Sequence, residues 1–105
     1  MDRVPVDVES LRQAVSQDNH LNADRGLSLL ARADFAALDA HGVELSCFYT
    51  PEGHVLEARV GSGVVSTDPV PMTDGVEAGV LRLVRQAWER AAPLVDEQRE
   101  EQGGK

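Results

Sequence analysis

This 105-residue chain has one cysteine, one lysine and only four aromatic residues. The lone Cys47 excludes an intramolecular disulfide and a cysteine-based zinc site. Phe35, Phe48, Tyr49 and Trp88 cannot fill a core alone, so the core must rest on Val, Leu and Ala. No apolar run approaches the roughly 18 residues that cross a bilayer. The opening MDRVPVDVES lacks the apolar stretch of a secretory signal, so the expected compartment is the cytoplasm. Basic charge is also scarce: ten Lys and Arg face 18 Asp and Glu, giving a net charge of −8. Residues 1–52 carry nine acids and four bases, residues 53–105 nine acids and six bases, so neither half forms a basic arm. Phosphate binding needs clustered Lys and Arg, and this balance by itself argues against nucleic acid.

Catalytic signatures are missing too. His20, His41 and His54 show no HxH or HxxxH spacing, so turns or loops suit them better than a metal. Cys47 has no base beside it in sequence and reads as a small buried hydrophobe. Gly61-Ser62-Gly63 is followed by no GK[ST], so it is not a phosphate loop. The expectation is a non-enzyme without cofactor or metal.

The apolar fraction of 42% is enough for one folded domain spanning 1–105. Its polar end, DEQREEQGGK, is expected to be disordered from about residue 97, and the residues before Val6 loose. Val8, Leu11 and Val15 recur at helical spacing, and Leu29, Leu30 and Ala33 can continue that face. QDNHLNAD at 17–24 is a poor helix segment, leaving either one long helix with a weak centre or two helices with a break near 19–22.

The strongest local signal is a hairpin. VELSCFY and HVLEARV flank Thr50-Pro51-Glu52-Gly53, a sequence suited to a type I turn. Closing that turn pairs Leu45 with Ala58 and Cys47 with Leu56 on an apolar face. On the other face it pairs Glu44 with Arg59, Ser46 with Glu57 and Phe48 with Val55, both charge and aromatic matches being favourable. A slip of one residue destroys both sets. A hairpin alone is unstable, so a third strand is needed. Residues 34–41 are assigned to it on that ground, although their Ala and Leu content favours helix and Gly42 could stop one. Residues 61–73 read as a loop. Asp74 and Glu77 form a capping-box pattern ahead of a helix with the apolar stripe Val76, Val80, Leu83, Ala87, Ala91 and Leu94, widened by Leu81, Val84 and Trp88. Arg82, Arg85, Gln86, Glu89 and Arg90 lie opposite, and Pro93 should weaken the last turns.

This layout resembles the YbaB/EbfC family. The stretch Gly42 to Cys47, the stretch Gly53 to Val60 and the helix from Gly75 to Ala92 carry the resemblance, which covers most of the chain. It implies an α+β fold of order α-β-β-β-α with a three-stranded antiparallel sheet between long helices. It also implies a bacterial, nucleoid-associated homodimer that binds duplex DNA with little sequence specificity and has no catalytic residues. Arg82, Arg85 and Arg90 are the candidate DNA contacts; Phe48, Val55 and Trp88 are the candidate dimer contacts. The alternative expectation, favoured by the charge, is an acidic dimeric adaptor or chaperone-like protein that binds a protein partner and not DNA.

Overall fold

The computed structural model describes residues 3–16, 25–73 and 75–103. The chain order is β1 (Val4–Val6), α1 (Val8–Ser16), α2 (Arg25–Ala40), β2 (Glu44–Thr50), β3 (Gly53–Val60), β4 (Gly63–Ser66) and α3 (Val76–Gly103). The strands form one antiparallel sheet in the order β1-β2-β3-β4. The helices pack on one of its faces. Between helices and sheet lies the core, including Leu11, Val15, Phe35, Leu38, Cys47, Leu56, Val80, Leu83 and Val84. The class is α+β, as the pattern requires.

The β2–β3 hairpin has the register the sequence dictates, from Glu44 opposite Arg59 to Tyr49 opposite His54. Thr50 fastens its turn: the hydroxyl donates to the Gly53 carbonyl at 2.8 Å and accepts from the Glu52 N–H at 3.2 Å. The sheet's other members differ from expectation. Residues 34–41 are not a strand; they end helix α2. Ala31, Phe35 and Leu38 recur at helical spacing and are buried, so a helix buries what a strand would have split between two faces. Gly42, at φ 68°, closes the helix in a Schellman pattern. The Val43 N–H donates to the Leu38 carbonyl at 3.0 Å and the Gly42 N–H to the Asp39 carbonyl at 3.1 Å. Leu38 and Val43, the two positions that accompany this motif, are both buried.

The hairpin instead gains a neighbour on each side, so the sheet has four strands rather than three. Val4–Val6 pairs with Cys47–Tyr49, correcting the expectation of a loose start. Gly63–Ser66 pairs with Glu57–Val60, inside the stretch read as loop. Gly61, at φ 59°, followed by Ser62 suits the two-residue II′ hairpin turn. From α2 onward the order is still helix, three strands, helix, but the third strand follows the hairpin instead of preceding it.

The helical third contains two helices, α1 and α2; the segment 17–24 lies outside the described residues, as does Asp74, the proposed cap. On α2 the buried face is Ala31, Phe35 and Leu38, while Leu29, Leu30 and Ala33, the residues expected to continue the core face, are all exposed. The α3 stripe is buried as read at Val80, Leu83, Ala87 and Ala91, whereas Val76 is exposed. The helix runs unbroken through Pro93 and on to Gly103, past the point where composition predicts a frayed tail.

Candidate protein interface

Arg82, Arg85 and Arg90 are exposed on α3, opposite its buried stripe. At 100° per residue, Arg85 and Arg90 stand about 140° apart around the helix axis, so they flank the exposed ridge rather than share it. Each reaches a different neighbour. Arg85 pairs with Asp34 of α2 at 3.2 Å. Arg90 donates to the Ser66 carbonyl at the end of β4 and pairs with Asp68 at 3.1 Å. These two guanidiniums therefore tie α3 to the elements on either side, and an acid already stands against each one. Exposed pairs of this kind are worth about 0–1 kcal/mol, but each acid cancels the local positive field that phosphates would need. Arg82 lies between them and is likewise exposed.

The sheet face away from the helices offers a different surface. Strand alternation places Glu44, Ser46 and Phe48 of β2, Val55, Glu57 and Arg59 of β3, and Val64 of β4 on it. Phe48 and Val55 face each other in register and are half-buried. Arg3 lies over the Phe48 ring at 4.0 Å and pairs with Glu57 at 2.6 Å. Glu44, Ser46, Glu57, Arg59 and Val64 line a shallow depression of about 210 Å³. Val64 is 51% exposed. The signal for this face was in the hairpin register, whose non-core side carries Arg59 against Glu44 and Phe48 against Val55.

The sheet edges are guarded. Pro5 stands in the middle of edge strand β1 and offers no N–H. On the other edge, Arg90 takes the Ser66 carbonyl. Extension of the sheet by another strand is therefore disfavoured, which leaves the open face for contact.

Trp88 does not belong to this face. It is half-buried on α3 and stacks on His41 at 5.4 Å between ring centroids, with the planes 12° apart. Of the three residues singled out for dimer contact, Phe48 and Val55 sit together and Trp88 lies on the helical side.

Cys47 is 2% exposed in the core. Burial pushes its thiol pKa up, with a smaller opposing contribution from a hydrogen bond to the Phe48 backbone. The folded protein thus holds a proton that the unfolded chain releases near the ordinary value of 9.0. Stability from this group is present below that pH and is lost as pH rises above it. Urea midpoints measured from pH 7 to 10 should fall at the alkaline end, and Cys47→Ala should flatten that fall. Ellman's reagent should label the wild-type thiol at the rate the protein opens.

His54 lies at the hairpin tip, edge-on to Tyr49 at 5.0 Å, and its Nδ1 has no hydrogen-bond partner. His20 lies outside the described residues. Among the described residues no group of three or more His, Cys, Asp or Glu side chains is gathered as a metal site, and no helix is long and apolar enough to cross a membrane. No protein-family model matches this chain, and no curated protein or solved structure matches it.

Proposed function

We propose that this chain is a non-catalytic adaptor that pairs with a second copy of itself across the helix-free sheet face and engages protein rather than DNA. The observation that carries this reading is the distribution of charge. The chain as a whole is at −8, so two copies repel over most of their surfaces. The open sheet face is the exception: Arg3 and Arg59 balance Glu44 and Glu57 around Phe48, Val55 and Val64. A two-fold axis through it sets the arginines of one copy near the glutamates of the other, with the apolar residues at the centre. Two of the three arginines that would serve DNA, Arg85 and Arg90, instead have Asp34 and Asp68 against them.

Light scattering after gel filtration should give twice the 11.3 kDa chain mass. Arg59→Glu makes the face negative on both copies; the dimer should weaken by at least about tenfold at low salt and recover partly as salt rises. Arg59 is exposed, so the monomer fold should be retained. A monomer across micromolar concentrations would refute the pairing. Gel retardation of duplex DNA at low salt, absent on this reading, would restore the nucleoid reading if it appeared and disappeared with added salt.

A further inference from the structure

A second apolar patch lies uncovered at the tip of the β2–β3 hairpin. Val4 and Tyr49 stand opposite one another in β1 and β2. Alternation from Cys47 turns Tyr49 to the helix side of the sheet, yet Tyr49 is 50% exposed and Val4 57% exposed. A pocket of about 260 Å³ opens beside Tyr49, with Pro51, Glu52, His54, Pro71 and Met72 among its walls. Those walls are fixed to each other. The His54 N–H donates to the Val70 carbonyl at 2.9 Å and the Val70 N–H to the His54 carbonyl at 2.8 Å. Met72 packs against Gly79 of α3, which has no side chain to keep it away. A pocket held in this way is formed before a ligand arrives. Its charge differs from that of the open sheet face, where arginines balance glutamates. Here the lining residues include one acid, Glu52, and neither Lys nor Arg. Glu77 is in the first turn of α3, two residues after Gly75, whose N–H donates to the Met72 carbonyl at 3.3 Å. Arg3, next to Val4 in the chain, is turned to the open face, over Phe48 and onto Glu57. A second copy would bring the same acids to this pocket, so a basic partner is favoured over self. A docking strand would also find few backbone partners: His54 is taken by Val70, and Pro51 and Pro71 have no N–H.

We propose that this pocket binds an extended, proline-containing segment of another protein that carries lysine or arginine beside an apolar side chain. Such a segment in the polyproline II conformation keeps its backbone solvated and needs no ladder hydrogen bonds. Its apolar residue lies against Tyr49, Pro71 and Met72, and its basic residue against Glu52. Tyrosine suits the anchor position, since it offers a large, rigid contact area at low entropic cost. The site rests on the reading of the chain as a protein-binding adaptor, and it is separate from the sheet face used for self-pairing.

The test is an amide-resonance titration of the whole chain with the capped peptide KPLPK, beside EPLPE and KGSGK, at constant ionic strength. KPLPK should shift the Tyr49, His54 and Met72 amides to saturation with a Kd on the order of 1 mM. EPLPE reverses the charge and KGSGK keeps the charge but loses the apolar body; each should bind at least about tenfold more weakly. Glu52→Gln should weaken KPLPK binding about two- to fivefold, the range of one exposed ion pair. Glu52 is exposed, so that variant should keep the fold. Absence of saturable shifts up to about 20 mM, far above that Kd, overturns the proposal. So does equal affinity for KPLPK and either control peptide, a set of shifts confined to Phe48 and Val55 on the open face, or unchanged binding by Glu52→Gln. The peptide comparison uses the wild-type chain, so it decides whatever the variant does. Self-pairing fails separately: Arg59→Glu should bind KPLPK as the wild type does, so a monomer that binds KPLPK keeps this pocket and loses the pairing, and a dimer that ignores KPLPK does the reverse. Duplex DNA retarded at low salt counts against the adaptor reading, and the peptide titrations still decide the pocket.

Discussion

Gly53→Ala is expected to destabilise the fold by about 2–6 kcal/mol, a backbone strain and an overpacking contribution of about 1–3 kcal/mol each. Gly53 has φ 135°, a region that side-chain-bearing residues rarely adopt. A methyl group there would lie 2.5 Å from the Val70 carbonyl carbon and 2.6 Å from the Pro71 nitrogen. Those are backbone atoms and they are held. The His54 N–H donates to the Val70 carbonyl at 2.9 Å, and the Val70 N–H donates to the His54 carbonyl at 2.8 Å. Relief would need that two-way bridge to open, just where Thr50 already clasps the turn. Urea unfolding should show a lower midpoint at unchanged slope. Gly26→Ala is the counterpart: it sits in α2 with nothing within 4 Å, and should stabilise by up to about 1 kcal/mol. If Gly53→Ala cost less than Gly26→Ala gained, the segment at Val70 would not be fixed against the hairpin.

The same hairpin shows what sequence can specify. Its register was legible because two independent faces had to match at once, and only one alignment satisfies both. The strands beside it were not, because each is short and ambiguous by composition. Val4–Val6 is three residues with a central proline, a pattern that reads as a loop until an edge position is known. Gly63–Ser66 follows Gly61-Ser62, a II′ turn signal that the surrounding Gly, Pro and Asp residues obscured. The hairpin does take neighbouring strands, but they are Val4–Val6 and Gly63–Ser66 and not residues 34–41. Residues 34–41 carry helix propensity, a helical period at Phe35 and Leu38, and a stop at Gly42; these three local signals agree, and together they outweigh the hairpin's need for a neighbour.

The candidate site was legible in part. Phe48 and Val55 do share the open face, because alternation within a strand is a rigid rule. That Arg85 and Arg90 would meet Asp34 and Asp68 was not legible. Those pairings join α3 to α2 and to the stretch after β4, and no local pattern in α3 reports what lies across from it. The fork of Arg12 onto Asp39 is the same case, since it joins α1 to the end of α2.

Leu83→Ala is expected to cost about 2–5 kcal/mol, the largest loss among single truncations on α3. Leu83 has no exposed surface and lies on the stripe with Val80, Val84 and Ala87, where α3 packs against both the sheet and α2. Removing its branched end leaves a void between three elements. A helix between a sheet and another helix cannot move toward one without leaving the other, so collapse around the void is limited and the cavity contribution stays. In a domain of this length each kcal/mol lowers Tm by roughly 4–8 °C, so the variant should melt at least about 8 °C lower. Leu83→Met keeps the volume and should lose less than about 1.5 kcal/mol. Leu29→Ala tests the burial assignment itself. A continuous face through Leu29 and Leu30 would make this truncation as costly as Leu83→Ala, but Leu29 is 51% exposed, so the expected loss is within about 0.5 kcal/mol. All variants should be compared at one protein concentration, because dimerisation raises the apparent stability of every folded form by mass action. Equal losses for Leu29→Ala and Leu83→Ala would show that the buried side of α2 is not the face of Ala31, Phe35 and Leu38.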